Sequence, residues 1–122
     1  MRYLRGDIFY CDFGVDNIIG SEQLGTRPVI IIQNDVGNKF SPNVIVASVT
    51  TQDKTSLPTH VDLYNYQRLQ PKCTVLLEQV KTISKERLGD YLTSVTPEDL
   101  QKIDTALLVS LGLNTNNLAI AN

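Results

Sequence analysis

At 122 residues with 42% apolar side chains, the chain is long enough for one domain with a buried core and too short for two. Eleven Lys and Arg against 13 Asp and Glu leave a net charge of -2, which excludes a protein that coats nucleic acid non-specifically. No apolar run approaches the ~20 residues of a bilayer span and no apolar signal segment follows Met1, so a cytoplasmic location without membrane contact is expected.

Taken in chain order, β-rich runs bounded by Gly, Pro or Asn predict strands at Ile8–Phe13, Val29–Ile32 and Val44–Val49. Weaker runs of the same kind lie at His60–Leu63 and Thr74–Leu77, and Leu88–Val95 is strand-like. Val29-Ile30-Ile31-Ile32 is apolar without alternation, which predicts a central strand covered on both faces. Between the first two strands, Gly14–Thr26 forms a long loop of the length that usually carries function.

A helix start is written at Thr96-Pro97-Glu98-Asp99: an N-cap hydroxyl, a proline at the first helical position and acidic groups in the first turn. Leu100, Ile103, Leu107, Leu108 and Leu111 then share one face, and Gly112 provides the left-handed stop. Short strands followed by one good helix predict a small, strongly bent sheet or barrel. One domain is expected over residues 1–113, with 114–122 as a mobile tail.

Several chemistries are excluded by composition. The chain has one histidine, His60, so cleavage by a histidine pair within one chain is impossible. No HExxH, GxxxxGK[ST] or GxSxG is present, and Cys11 and Cys73 lack metal-site spacing, so neither a metal nor another cofactor is expected. Both cysteines read as small buried apolar groups, His60 as a hydrogen-bonded structural side chain, and Asp7 and Asp12 as solvated strand ends. Arg27, between a long loop and Pro28, has the planar fork that clamps a phosphate, although an arginine before a strand is more often a solvated edge residue.

The order and spacing of several segments change that balance. They are Arg5-Gly6-Asp7-Ile8-Phe9, Gly20-Ser21-Glu22-Gln23 with Gly25-Thr26-Arg27-Pro28-Val29, Gln33-Asn34-Asp35 and Val46-Ala47-Ser48-Val49-Thr50. Leu57-Pro58-Thr59-His60-Val61, Leu76-Leu77-Glu78-Gln79-Val80-Lys81-Thr82-Ile83 and the terminal helix continue the series. From about Arg5 to Leu113 this pattern resembles the MazF/PemK family of toxins.

The resemblance implies a mainly β fold with α, an SH3-like five-stranded barrel of the CcdB/PemK kind carrying a C-terminal helix, in a homodimer. It implies metal-independent, sequence-specific cleavage of single-stranded RNA to 2′,3′-cyclic phosphate and 5′-hydroxyl ends, blocked by a MazE-like antitoxin. The family's catalytic arginine and threonine fall on Arg27 and Thr50, Glu22 is a candidate base for the 2′-hydroxyl, and Ser21, Gln23, Lys54, Glu78 and Gln79 are placed at the RNA. Val15–Ile19 lengthens the loop ahead of Ser21, so the recognised sequence is the property least expected to carry over.

Two other classes share the architecture. A CcdB-like toxin that binds without cutting needs a C-terminal tryptophan, and this chain has no Trp. A non-enzymatic SH3-like module needs an aromatic-lined groove, whereas the five Tyr and three Phe do not cluster in sequence.

Overall fold

The computed structural model describes residues 2–14, 25–52 and 55–113. The expectations for Ser21, Glu22, Gln23 and Lys54, and for the tail at 114–122, lie outside the described residues.

Six strands are described: β1 (Asp7–Asp12), β2 (Thr26–Ile31), β3 (Asn43–Thr50), β4 (His60–Tyr64), β5 (Lys72–Ser84) and β6 (Leu88–Ser94). They form one antiparallel sheet in the order β4-β5-β3-β2-β1-β6. The resemblance implies five strands in a barrel; here there are six, and β4 and β6 remain separate edges among the described residues. β6 takes the free edge of β1 through irregularities on either side of Phe9.

β2 lies inside the sheet as its composition predicts, between β1 and β3. Its consecutive apolar residues are buried because each face of the sheet has a core of its own. Val29 and Ile31 join Phe9, Cys11, Val44, Val46 and Ile83 on one face. Ile30 joins Ile8, Ala47, Val49, Leu63, Val75 and Leu77 on the other, where Ile103 and Ala106 close the layer. Each such side chain contributes about 1.5–3 kcal/mol on leaving water, so a continuous apolar run is favoured over alternation.

That second face is covered by α2 (Pro97–Leu111), which packs on β4 and β5. Its caps are those read from sequence: the Thr96 hydroxyl accepts from the Asp99 N–H, and Gly112 ends the helix at φ 67°. The predicted stripe is rotated slightly, since Ile103 and Ala106 are the buried positions and Leu111 is 58% exposed. Among the described residues no helix is long and apolar enough to cross a membrane.

A short helix not foreseen, α1 (Asp35–Phe40), links β2 to β3; its N-cap Asn34 side chain accepts from the Gly37 N–H at 2.8 Å. Asp7 also departs from expectation. It is buried rather than solvated, because its two carboxylate oxygens accept from the Ser94 hydroxyl at 2.6 Å and the Leu4 N–H at 3.1 Å. Asp12 is exposed, as predicted, and accepts from the Gly14 N–H.

Candidate active site

Cross-strand pairing decides which side chains share a face, because partners in an antiparallel ladder point the same way. β1 pairs Cys11 with Arg27 of β2, and β2 pairs Val29 with Ser48 of β3. Arg27 and Thr50 each lie two residues beyond that last pair, on the same face of the sheet. β5 then sets Thr74 opposite Thr50 on the other side, and β4 sets Asp62 opposite Thr74. Thr50, Thr74 and Asp62 therefore form one paired row across β3, β5 and β4, and Arg27 shares their face, two residues beyond the last β2–β3 pair.

On this face, Arg27 is exposed, Thr50 is half-buried and Thr74 is buried. The Thr74 hydroxyl donates to Asp62 at 2.8 Å, and the Thr50 hydroxyl accepts from the Gln52 N–H at 3.1 Å. Thr50 thus holds its place through its lone pairs while its proton remains available for donation.

Further positive charge reaches the same end of this face. The Lys81 ammonium lies 5.1 Å from the Phe13 ring centre, and an Arg87 guanidinium N–H donates to the Asp12 carbonyl at 3.0 Å. Both cations lower the Cys11 pKa, but burial outweighs them and raises the thiol to about 11. Cys73, across the sheet, is likewise raised to about 11 by burial, with Asp62 adding to the effect. Neither thiol is poised as a nucleophile. Sequence patterns do not reveal Lys81 and Arg87; the fold brings both close to Cys11, the cross-strand partner of Arg27.

Beyond the paired ends of β1 and β2 the chain is drawn into a neck by backbone hydrogen bonds. The Phe13 N–H donates to the Gly25 carbonyl at 2.9 Å, and the Gly25 N–H donates to the Gly14 carbonyl at 3.0 Å. Gly14 and Gly25 have φ of 74° and 65°, which glycine adopts without steric cost. The neck ends two residues before Arg27.

Glu78 and Gln79 occupy a protrusion of β5. The β3 ladder steps from Ala47↔Val80 to Ser48↔Leu76, so Leu77, Glu78 and Gln79 have no counterpart in β3. Leu77 anchors this bulge: its side chain is buried, its N–H donates to the Thr59 carbonyl, and its carbonyl accepts from the Ser110 hydroxyl. Glu78 accepts from the Thr59 hydroxyl at 3.1 Å and is joined to His60 Nε2 at 2.8 Å. Burial raises the Glu78 pKa, but hydrogen bonds from His60, its own backbone and Thr59 prevail and hold it below the usual value of 4.5. His60 is thus the hydrogen-bonded side chain read from sequence.

A cavity of about 690 Å³ lies between β4 and α2, and neither Arg27 nor Thr50 lines it. Arg27 and Thr50 instead lie on an open sheet face, suited to an extended polyanion more than to an enclosed small molecule.

Residues 4–111 match the family model described as PemK-like, MazF-like toxin of type II toxin-antitoxin system. The chain is 46% identical over 114 residues to Endoribonuclease EndoA of Bacillus subtilis (strain 168), covering 89% of this chain and 94% of that one. A solved endoribonuclease in complex with its cognate antitoxin, from a mycobacterial species, is 34% identical with a TM-score of 0.77, covering 91% of this chain and 96% of that one. MazF of Deinococcus radiodurans, 20% identical, shares the fold with a TM-score of 0.78 over 93% of this chain and 99% of its own. By a family match that spans almost every described element and a close curated relative, the chain belongs to the PemK/MazF family of toxins from type II toxin-antitoxin systems.

Proposed function

We propose that the protein is an endoribonuclease toxin that cuts single-stranded RNA, mRNA above all, at specific sequences without a metal. The observation that carries the reading is the sheet face shared by Arg27 and Thr50 beside the neck, with Lys81 and Arg87 adding positive charge to that face. The Bacillus relative's name supports the substrate class. The mycobacterial complex supports an antitoxin as partner; in this reading it is MazE-like, meets the toxin in the cytoplasm and blocks the RNA face.

Metal-free cleavage uses the substrate's own 2′-hydroxyl. Its oxygen bonds to phosphorus as the bond to the 5′-oxygen breaks, giving a 2′,3′-cyclic phosphate and a 5′-hydroxyl end. The 2′ proton passes to a base, for which Glu22 is the candidate, and the departing 5′-oxygen takes up a proton. Charge that gathers on the non-bridging oxygens is met by the fork of Arg27 and the hydroxyl proton of Thr50. Ser21, Gln23, Lys54, Glu78 and Gln79 hold the flanking nucleotides and read unstacked bases.

The working unit in this reading is a homodimer, near twice the 13.6 kDa chain mass. Its sheet is of the SH3-like kind, coiled so that both cores are covered.

The test is incubation of a long mixed-sequence RNA with EDTA present, using native protein and Arg27→Ala, and sequencing of the ends. Discrete cuts that vanish with Arg27→Ala establish the activity and its recognised sequence. A folded native dimer that cuts nothing overturns it in favour of a toxin that only binds.

A further inference from the structure

The Glu78 carboxylate is held at both oxygens by consecutive residues of another element, Thr59 through its hydroxyl and His60 through Nε2. An exposed glutamate ordinarily samples several rotamers; with both oxygens engaged it has one orientation. The bulge that carries it is fixed independently, by the burial of Leu77 and by its bonds to Thr59 and Ser110. Backbone position and side-chain direction are thus set by separate contacts.

His60 is suited to this role by its own surroundings. Its side chain is 7% exposed, and Nδ1 is buried without a hydrogen-bond partner among the described residues. A proton on Nδ1 would be a buried, unpaired donor, while a proton on Nε2 is satisfied by Glu78. The arrangement therefore assigns the ring proton to Nε2, where it donates to the carboxylate. The register places His60 across from Leu76, which itself faces Ser48, one row along from Thr50 and Thr74. The pinned carboxylate accordingly belongs to the same face as Arg27 and Thr50.

We infer that His60 is a positioning residue for RNA sequence selection: it holds Glu78 in the orientation from which the carboxylate accepts from base N–H groups on the substrate. This rests on the proposed ribonuclease activity and on Glu78 as one of its RNA contacts. A carboxylate free to rotate would still accept hydrogen bonds, but from bases in several positions, so the loss falls on discrimination more than on the chemical step.

Two measurements test it. Because His60 is the only histidine in the chain, imidazole ¹⁵N spectra of the labelled protein report this ring alone. They are expected to show the proton on Nε2 and a shift of that nitrogen in Glu78→Gln; a proton on Nδ1, or no response, overturns the assignment.

The second measurement compares cleavage of a preferred RNA with its single-base variants. His60→Leu is expected to reduce the ratio of rates by about tenfold, as does Glu78→Gln, with the double variant no worse than either. His60→Gln, which restores a donor near the Nε2 position, is expected to stay within about twofold of native. Loss of thermal stability with selectivity intact, or additive effects in the double variant, shows a purely structural histidine. If the native protein cuts no RNA, the functional reading itself fails; if it cuts and His60→Leu remains selective, this inference alone fails.

Discussion

Gly25 donates its N–H to the carbonyl of Gly14 at 3.0 Å, joining two glycines about ten residues apart in the chain at a point two residues before Arg27. The geometry requires φ of 65° at Gly25, and a Cβ there would meet nothing within 4 Å among the described residues. Gly25→Ala therefore suffers only the backbone strain of a left-handed alanine, about 1 kcal/mol. It is expected to lower stability by that amount in denaturant titration. Cleavage should fall further than stability, because the strain is relieved by opening the neck beside Arg27. Gly25→Asn, which tolerates the same φ better, should lie between the two.

Thr50 offers a second, sharper test. Thr50→Val keeps the side-chain shape but removes both the proton donated to phosphate and the acceptor for the Gln52 N–H. Loss of one donor to a developing oxyanion typically costs about 10²–10³-fold in rate. Single-turnover cleavage is expected to fall into that range, while Thr50→Ser retains most activity. Arg27→Lys should behave like Thr50→Val, since a single ammonium lacks the planar fork.

Acid stability reports on Glu78. Its folded pKa lies below the ordinary 4.5, so folding favours the ionised carboxylate. That stabilisation is present above about pH 4.5 and disappears as pH falls through the lower folded value. Thermal unfolding followed from about pH 6 to about pH 3 is expected to show a steeper fall in Tm for the native chain than for Glu78→Gln. Parallel curves would place the carboxylate outside the acid transition.

The cysteines make the opposite prediction at high pH. With both thiols raised to about 11, folded protein holds them protonated through neutral and mildly alkaline solution. A thiol reagent at about pH 8 should label neither until denaturant is added, then both, because unfolded cysteine ionises near pH 8.5. Their contribution to stability is complete below the unfolded pKa and is lost as pH rises through about 11. Rapid labelling of native protein would contradict the burial of Cys11 and Cys73.

Sequence patterns conveyed different parts of the molecule with different clarity. β2 was legible because an uninterrupted apolar run has few homes other than a strand covered on both sides, and α2 because Thr96 and Gly112 mark both ends. α1 escaped notice: it has six residues, includes Gly37 and β-branched Val36, and has too little length for a periodicity. The apolar run of β5 stops at Leu77, where the polar Glu78 and Gln79 interrupt it, yet pairing resumes at Val80.

For the site, Arg27 and Thr50 were separable from ordinary edge residues only by family resemblance. Nothing in the spacing of residues 27 and 50 reveals that their strands are adjacent. Lys81 and Arg87 were invisible for the same reason, since a near-neutral chain gives no sign of where folding gathers its cations.

The protrusion in β5 contains three residues, and three is an odd number. Before it, even-numbered Thr74 and Leu76 look toward the arginine-threonine side; after it, odd-numbered Lys81 and Ile83 do. The strand thus changes phase partway along its length. Deleting one residue between Leu77 and Gln79 would let unbroken alternation carry Val80 into the α2-covered core and Lys81 to the arginine-threonine side, whereas deleting two would leave a single extra residue and keep the change of phase. Either length leaves Lys81 and Val80 on the faces they now occupy, so what the full protrusion adds is the distance by which Glu78 stands out from the sheet.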